Sequence, residues 1–204
     1  MGALYDWLIQ HERIGDRYLR LIVGEELPGF LGVMEAVAAM PDGTTILDVP
    51  CGGGITLRRL RPDQRVHYVA ADISATMLRR AREHVAAGAA ATVHFVECDI
   101  TSMPFEDNEF DLVICFSGLH CLPDPAAAVR EMARCVRVGG RVIADIALHG
   151  QLRRTDIFMG LGRAAGVFGP AMTIAEVRRW FCDAGLSIDT ITRAGALAYV
   201  EARR

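Results

Sequence analysis

Ile46-Leu47-Asp48-Val49-Pro50-Cys51-Gly52-Gly53-Gly54 is the stretch from which the rest of the chain can be read. It closes a short β-branched and apolar run, Thr44–Val49, and then gives way to three successive glycines. Glycine lets a backbone turn sharply and approach another group closely, and a helix starting beyond it would offer free N–H groups. By itself the stretch also fits a plain strand-to-helix turn. Its meaning comes from its surroundings.

Downstream, strands and helices alternate. Val66–Ala71 reads as a strand, followed by an amphipathic helix over Ser74–Ala87 with Ser74 as N-cap and Met77, Leu78, Ala81 and Val85 on one face. Thr92–Glu97 and Phe110–Phe116 are further strands. A helix over Pro125–Val136 is expected to stop at Gly139-Gly140, before a strand over Val142–Leu148. After a helix at Ile174–Ala184, the runs Leu186–Ile191 and Ala196–Glu201 form a hairpin turning about Arg193–Gly195. Strands that are nearly continuous apolar runs belong to sheets covered on both faces. The pattern predicts an α/β fold: a doubly wound, mostly parallel seven-stranded sheet with a C-terminal antiparallel hairpin. We expect one domain over 1–204, with 1–40 as an N-terminal helical cap and 149–172 as a lid-like insertion.

Composition narrows the chemistry. The 204 residues carry a net charge of −3, and all 22 basic residues are arginine. With no lysine there is no Schiff-base chemistry and no phosphate loop of the lysine-bearing kind. Interspersed acids and arginines do not make a nucleic-acid surface. No apolar run reaches the roughly 18 residues of a membrane span, and the start of the chain lacks a basic-then-apolar leader, so a cytoplasmic location and no membrane partner are expected. The six cysteines form no Cys-x-x-Cys pair and match no zinc spacing, so no metal site is expected and core packing is.

Ligands of a doubly wound sheet bind beyond the carboxyl ends of its strands. The residues there form a set. Asp72 follows the second strand, 18 residues beyond Gly54, where a carboxylate can accept from a ribose diol. At a strand's solvent end it is expected to serve the ligand and not the core. Asp99 follows the third strand and could accept from an adenine amino group, with Ile73 and Ile100 sandwiching the base; Asp72 and Asp99 could each equally be an ordinary cap or turn acid.

With these residues in view, the chain resembles the class I, Rossmann-like S-adenosylmethionine-dependent methyltransferases, especially their small-molecule branch. The resemblance rests on ILDVPCGGG (46–54), AADISATML (70–78), CDITSMPFEDNEFDLVICFSGLHCLPDP (98–125) and MARCVRVGGRVIADI (132–146), in order, and runs from about residue 40 to the end. It implies that Asp48 and the Gly52–Gly54 backbone, with Pro50 in the same loop, hold the methionine end of S-adenosylmethionine. It further implies that Asp72 takes the ribose hydroxyls, that Ile73 and Met77 pack nearby, that Asp99 and Ile100 bind adenine, and that Ser117 approaches the methionine moiety. Pro50 stands where the family usually has glycine; it removes one N–H donor and fixes φ near −65°, so the loop path is expected to differ.

The implied reaction is methyl transfer to a small, partly apolar acceptor at an oxygen, by in-line displacement. A hydroxyl acceptor needs a base, most often histidine. His120 follows the fourth strand and His149 the fifth, which makes them the two catalytic candidates. His120 could equally shape its loop, and Asp145, within the fifth strand, could cap or pair with an arginine. Tyr5, Trp7, Tyr18, Phe158, Met159 and Phe168 are candidates to line the acceptor pocket, although at helical spacing such residues are more often simple core. The glycine-rich insertion is either a mobile lid or a fixed cover in which glycines allow close packing. Two rivals stand beside this reading. A nicotinamide-dependent oxidoreductase would also use Asp72, but Leu57 stands where its fingerprint requires Gly or Ala. A silent S-adenosylmethionine-binding protein would share every cofactor residue.

Overall fold

The computed structural model describes residues 17–24, 32, 34–85 and 90–204. Tyr5 and Trp7, and most of the expected N-terminal cap, lie outside the described residues.

The strands are β1 (Thr45–Asp48), β2 (His67–Asp72), β3 (Thr92–Glu97), β4 (Phe110–Cys115), β5 (Val136–Ala147), β6 (Ser187–Ala194) and β7 (Leu197–Arg203). They form one seven-stranded sheet in the order β3-β2-β1-β4-β5-β7-β6. β1 to β5 pair in parallel, and β7 inserts antiparallel between β5 and β6. The architecture expected from the alternation is present, hairpin included.

Side chains alternate across the pleat, and the two faces build two cores. Leu47, Val113, Val142 and Ala144 join Met132 and Phe181 on one face. Ile46, Tyr68, Leu112, Ile114 and Ile143 join Leu78 and Ala81 on the other. The helices supplying those partners are α1 (Ala75–Arg82), α2 (Pro125–Cys135) and α4 (Ile174–Asp183), with α3 (Arg153–Ala164) in the segment after β5. Ser74 caps α1 through Met77 N–H, Asp124 caps α2 through Ala127 N–H, and Thr173 and Glu176 form a reciprocal capping box on α4.

Three local expectations are corrected. The glycine loop does not open an α-helix: turns lead only to a 3-10 turn at Leu57–Arg59, because Pro62 comes too soon for a helix to develop. The helix α2 ends at Cys135, and Gly139-Gly140 does not stop it but lies inside β5, which already begins at Val136 paired with Phe110. Of the six cysteines, Cys51, Cys115 and Cys135 are buried, whereas Cys121 and Cys182 are exposed. Among the described residues no His/Cys/Asp/Glu group could hold a metal ion, and no helix is long and apolar enough to cross a membrane.

Candidate functional site

The strand order reverses between β1 and β4, and the expected site residues gather at the carboxyl ends on either side of that point. The loop leaving β1 is pinned from both neighbours: Val49 N–H donates to Ile114 O of β4 at 2.9 Å, and Cys51 N–H to Ala71 O of β2 at 2.8 Å. The donor that Pro50 lacks is therefore not needed to fix the path. Pro50 instead packs on Gly118, where a Cβ would collide with its ring. Gly54 has φ +83°, and a Cβ there would lie 2.9 Å from Ala81 Cα, so this turn and its approach to α1 both require glycine.

Asp48 is buried at the end of β1. Tyr68, beside Ile46 in the register, reaches across from β2 and donates its hydroxyl to Asp48 Oδ2 at 2.6 Å. Burial pushes the Asp48 carboxyl up to about 7; the Tyr68 hydrogen bond opposes that shift and the Asp72 charge adds to it. Asp72 is only 5% exposed. Its Oδ2 accepts from Gly52 N–H at 2.9 Å and its Oδ1 from Ser74 N–H at 2.8 Å, so one carboxylate ties the glycine loop to the start of α1. Burial raises its pKa while these two bonds lower it. The expectation that Asp72 lies outside the core is thereby corrected, and its alternative as a turn acid is what the bond to Ser74 shows.

Ile73 stands 68% exposed, while Ile100 and Met77 are buried. Only Ile73 offers an open apolar face for a base. Asp99 is exposed; its Oδ1 takes the N–H and hydroxyl of Thr101 at 2.8 and 2.7 Å, which holds its pKa below the usual carboxylate range.

At the end of β4, Ser117 adopts φ +54°, uncommon for a residue with a side chain. Asp145, wholly buried in β5, accepts from the Ser117 N–H and lies 3.5 Å from its hydroxyl. Burial lifts Asp145 to about 7 against these bonds. Among the described residues it neither caps a helix nor pairs with an arginine. The signal available in the sequence was one acid inside the apolar run VIADIAL. Among the described residues, neither Asp48, Asp72 nor Asp145 makes an ion pair with a base.

The two histidines differ. His120 lies in a 3-10 turn, Leu119–Cys121, after β4. Its Nδ1 is enclosed without a hydrogen-bond partner among the described residues, and burial drives the imidazole down to about 4. His149 follows β5, half exposed, with Nδ1 2.9 Å from Asp156 Oδ1 in the first turn of α3. With Asp156, Met159, Arg163 and Met172 it lines a shallow pocket. Tyr18 lies in ring contact with Phe158, Phe158 with Phe168, and Phe168 with His120.

The chain is similar to known proteins in the same part. A family profile described as a methyltransferase domain matches residues 47–144. The ubiquinone/menaquinone biosynthesis C-methyltransferase UbiE of Xylella fastidiosa (strain M23) is 36% identical over 109 residues, 52% of this chain and 43% of that enzyme. The arsenite methyltransferase of Halobacterium salinarum is 27% identical over 181 residues, 85% of this chain and 46% of that protein. The chain thus spans less than half the length of either curated relative. Among solved structures, the geranyl diphosphate C-methyltransferase from Streptomyces coelicolor superposes with a TM-score of 0.68 at 16% identity, covering 88% of this chain and 76% of that one; it shares the fold.

Proposed function

As a member of the class I, Rossmann-like S-adenosylmethionine-dependent methyltransferases, this chain, we propose, transfers the methyl group of S-adenosylmethionine to an oxygen of a small, partly apolar acceptor. One observation carries the reading. Asp48 and the glycine turn end β1, Asp72 ends β2, Asp99 follows β3 and Asp145 stands near the end of β5, all towards the carboxyl edge of the parallel strands, and among the described residues the buried Asp48, Asp72 and Asp145 make no ion pair with a base. That edge suits a ligand bearing positive charge, a diol and a flat base.

Asp48 and the Gly52–Gly54 backbone would hold the methionine end, with Pro50 shaping the loop and Ser117 close by. Asp72, already fixed by Gly52 and Ser74, would take the ribose hydroxyls. Ile73 would cover the base, Asp99 would accept from its amino group, and Met77 and Ile100 would back the site from the core. When bound, the cofactor supplies a methyl on a sulfonium, an electrophile that is already activated. The chain's own work is to hold the acceptor in line behind that methyl and to keep water out. Alignment of this kind contributes about 7–11 kcal/mol in favourable cases.

A hydroxyl acceptor also gives up a proton. His149 is the better equipped of the two catalytic candidates: Asp156 at 2.9 Å fixes its Nδ1, leaving Nε2 to accept. His120, held neutral by burial, is a poor base at neutral pH. The slight net negative charge of −3 favours a small-molecule partner over nucleic acid, and a cytoplasmic location goes with that substrate class.

Calorimetry on the purified chain tests the reading. Micromolar binding of S-adenosylmethionine and its demethylated product is expected, with nicotinamide dinucleotides far weaker; a preference for NAD would overturn it. Incubation with tritium-methyl cofactor and cell extract separates turnover from silent binding, and label should appear in a small organic product.

A further inference from the structure

Four rings from separate stretches of chain meet beside the end of β4. Tyr18, next to the π-helical turn Leu19–Val23, stands edge-on to Phe158 of α3 with centroids 6.0 Å apart. Phe158 lies 5.7 Å from Phe168, and Phe168 lies 6.0 Å from the His120 imidazole. The row is held in place from both ends. Thr155 of α3 donates its hydroxyl to Ile22 O, and Gly169 N–H donates to His120 O at 3.0 Å. A Cβ at Gly162 would run into the Phe168 ring, so this glycine is what lets the ring in.

The polar end of this row is incomplete. No side-chain hydrogen bond to His120 exists among the described residues, and its enclosed Nδ1 has no partner. Nearby polar groups are satisfied: Ser117 by Asp145, and the Cys121 thiol by Ser117 O at 3.7 Å. A buried polar group left unpaired is rare and costly, and a neutral imidazole completes its hydrogen bonding best with a hydroxyl, which both donates and accepts. Aromatic edges and faces, in turn, favour another flat ring.

We propose that the Tyr18–Phe158–Phe168–His120 row is the recognition wall for the acceptor, and that the acceptor is a flat unsaturated ring whose hydroxyl hydrogen-bonds the His120 imidazole. The inference rests on the methyltransferase reading above and adds its substrate class. In it His120 determines specificity, while the proton is left to His149.

The test uses the full chain saturated with S-adenosylhomocysteine and two probes of matched shape, 2-naphthol and 2-methylnaphthalene, with binding read by probe fluorescence. The parent should bind 2-naphthol about tenfold more tightly, the ratio that one net hydrogen bond provides. His120→Phe keeps the ring and should erase that preference, leaving 2-methylnaphthalene and S-adenosylhomocysteine binding unchanged; Phe158→Ala should weaken both probes. In the parent itself, 2-naphthol but not 2-methylnaphthalene should shift the His120 ring nitrogen resonances, a readout that needs no variant to fold. Equal affinity for the two probes, no binding of either, or a preference that survives in His120→Phe overturns the proposal. S-adenosylhomocysteine binding, measured in the same samples, keeps the cases apart: its loss from the parent sinks the methyltransferase reading, whereas its persistence with no probe preference sinks only the recognition wall.

Discussion

Asp72 shows how one carboxylate can serve fold and ligand together. Each of its oxygens already accepts one backbone N–H, from Gly52 and from Ser74, and each keeps a lone pair for a ribose hydroxyl. Asp72→Ala should therefore fail twice. Two charge-assisted hydrogen bonds to the ligand, each worth roughly 1.5–3 kcal/mol, disappear, so affinity for S-adenosylmethionine should fall at least a hundredfold. The ligand-free protein should also lose a few degrees of melting temperature, since about 1 kcal/mol corresponds to roughly 2–4 °C at this chain length. Asp72→Asn, which retains one acceptor oxygen, should fall between. Calorimetry and a melting curve on the three proteins decide it; unchanged affinity in Asp72→Ala would remove the ribose from this position.

Among the elements, α3 is the one whose behaviour the sequence leaves open. Two glycines of the segment are spent on packing: Gly162 of α3 sits against Phe168, and Gly169 after it sits against the Leu122 backbone, whereas Gly150 and Gly166 hold positive φ at turns with nothing within 4 Å. We therefore expect a fixed cover. Hydrogen exchange should find Arg153–Ala164 protected without ligand, and Gly162→Ala should push Phe168 outward at a cost of about 1–3 kcal/mol, raising exchange over α3 while β4 and β5 stay protected. Fast exchange over α3 in the parent would restore the mobile lid. The same element marks where the sequence stops being legible. β1, β2, β4 and the hairpin are legible because β-branched runs end at glycine, proline or aspartate. Asp48, Asp72 and Asp99 are legible because each stands at or just past the carboxyl end of a strand, where a doubly wound sheet meets its ligands. The start of β5 at Val136 is not, because pairing with Phe110 sets it. Tyr18 meeting Phe158, and Ser117 meeting Asp145, are equally hidden: no local pattern encodes contacts between residues so far apart in the chain.

For the whole molecule, the acids that make the site also set its response to pH. Asp48 and Asp145 are each raised from 3.8 to about 7 by burial. In that window the folded chain keeps protons that the unfolded chain has lost, so stability falls as pH rises from about 4 to about 7 and is level beyond. His120, lowered from 6.5 to about 4, acts oppositely: its contribution is lost as pH falls from 6.5 towards 4. Asp72, also raised by burial, adds to the fall at its acid end; Asp48 and Asp145 against His120 leave a net fall of one proton, on the order of 2 kcal/mol between pH 5 and 7 at about 1.4 kcal/mol per pH unit. Asp99, Glu131 and Glu176 have lowered pKa values, so their contributions are lost only under more acidic conditions. Urea midpoints at pH 5, 6, 7 and 8 should therefore decline to pH 7 and then level. Asp145→Asn removes one acid and keeps an oxygen for the Ser117 N–H, so its midpoints should stay nearly flat from pH 5 to 6.5, where Asp48 and His120 cancel. A parent more stable at pH 8 than at pH 5 would mean that the two carboxylates ionise without cost. The sheet edge would then hold no uncompensated negative charge for a cationic ligand to meet.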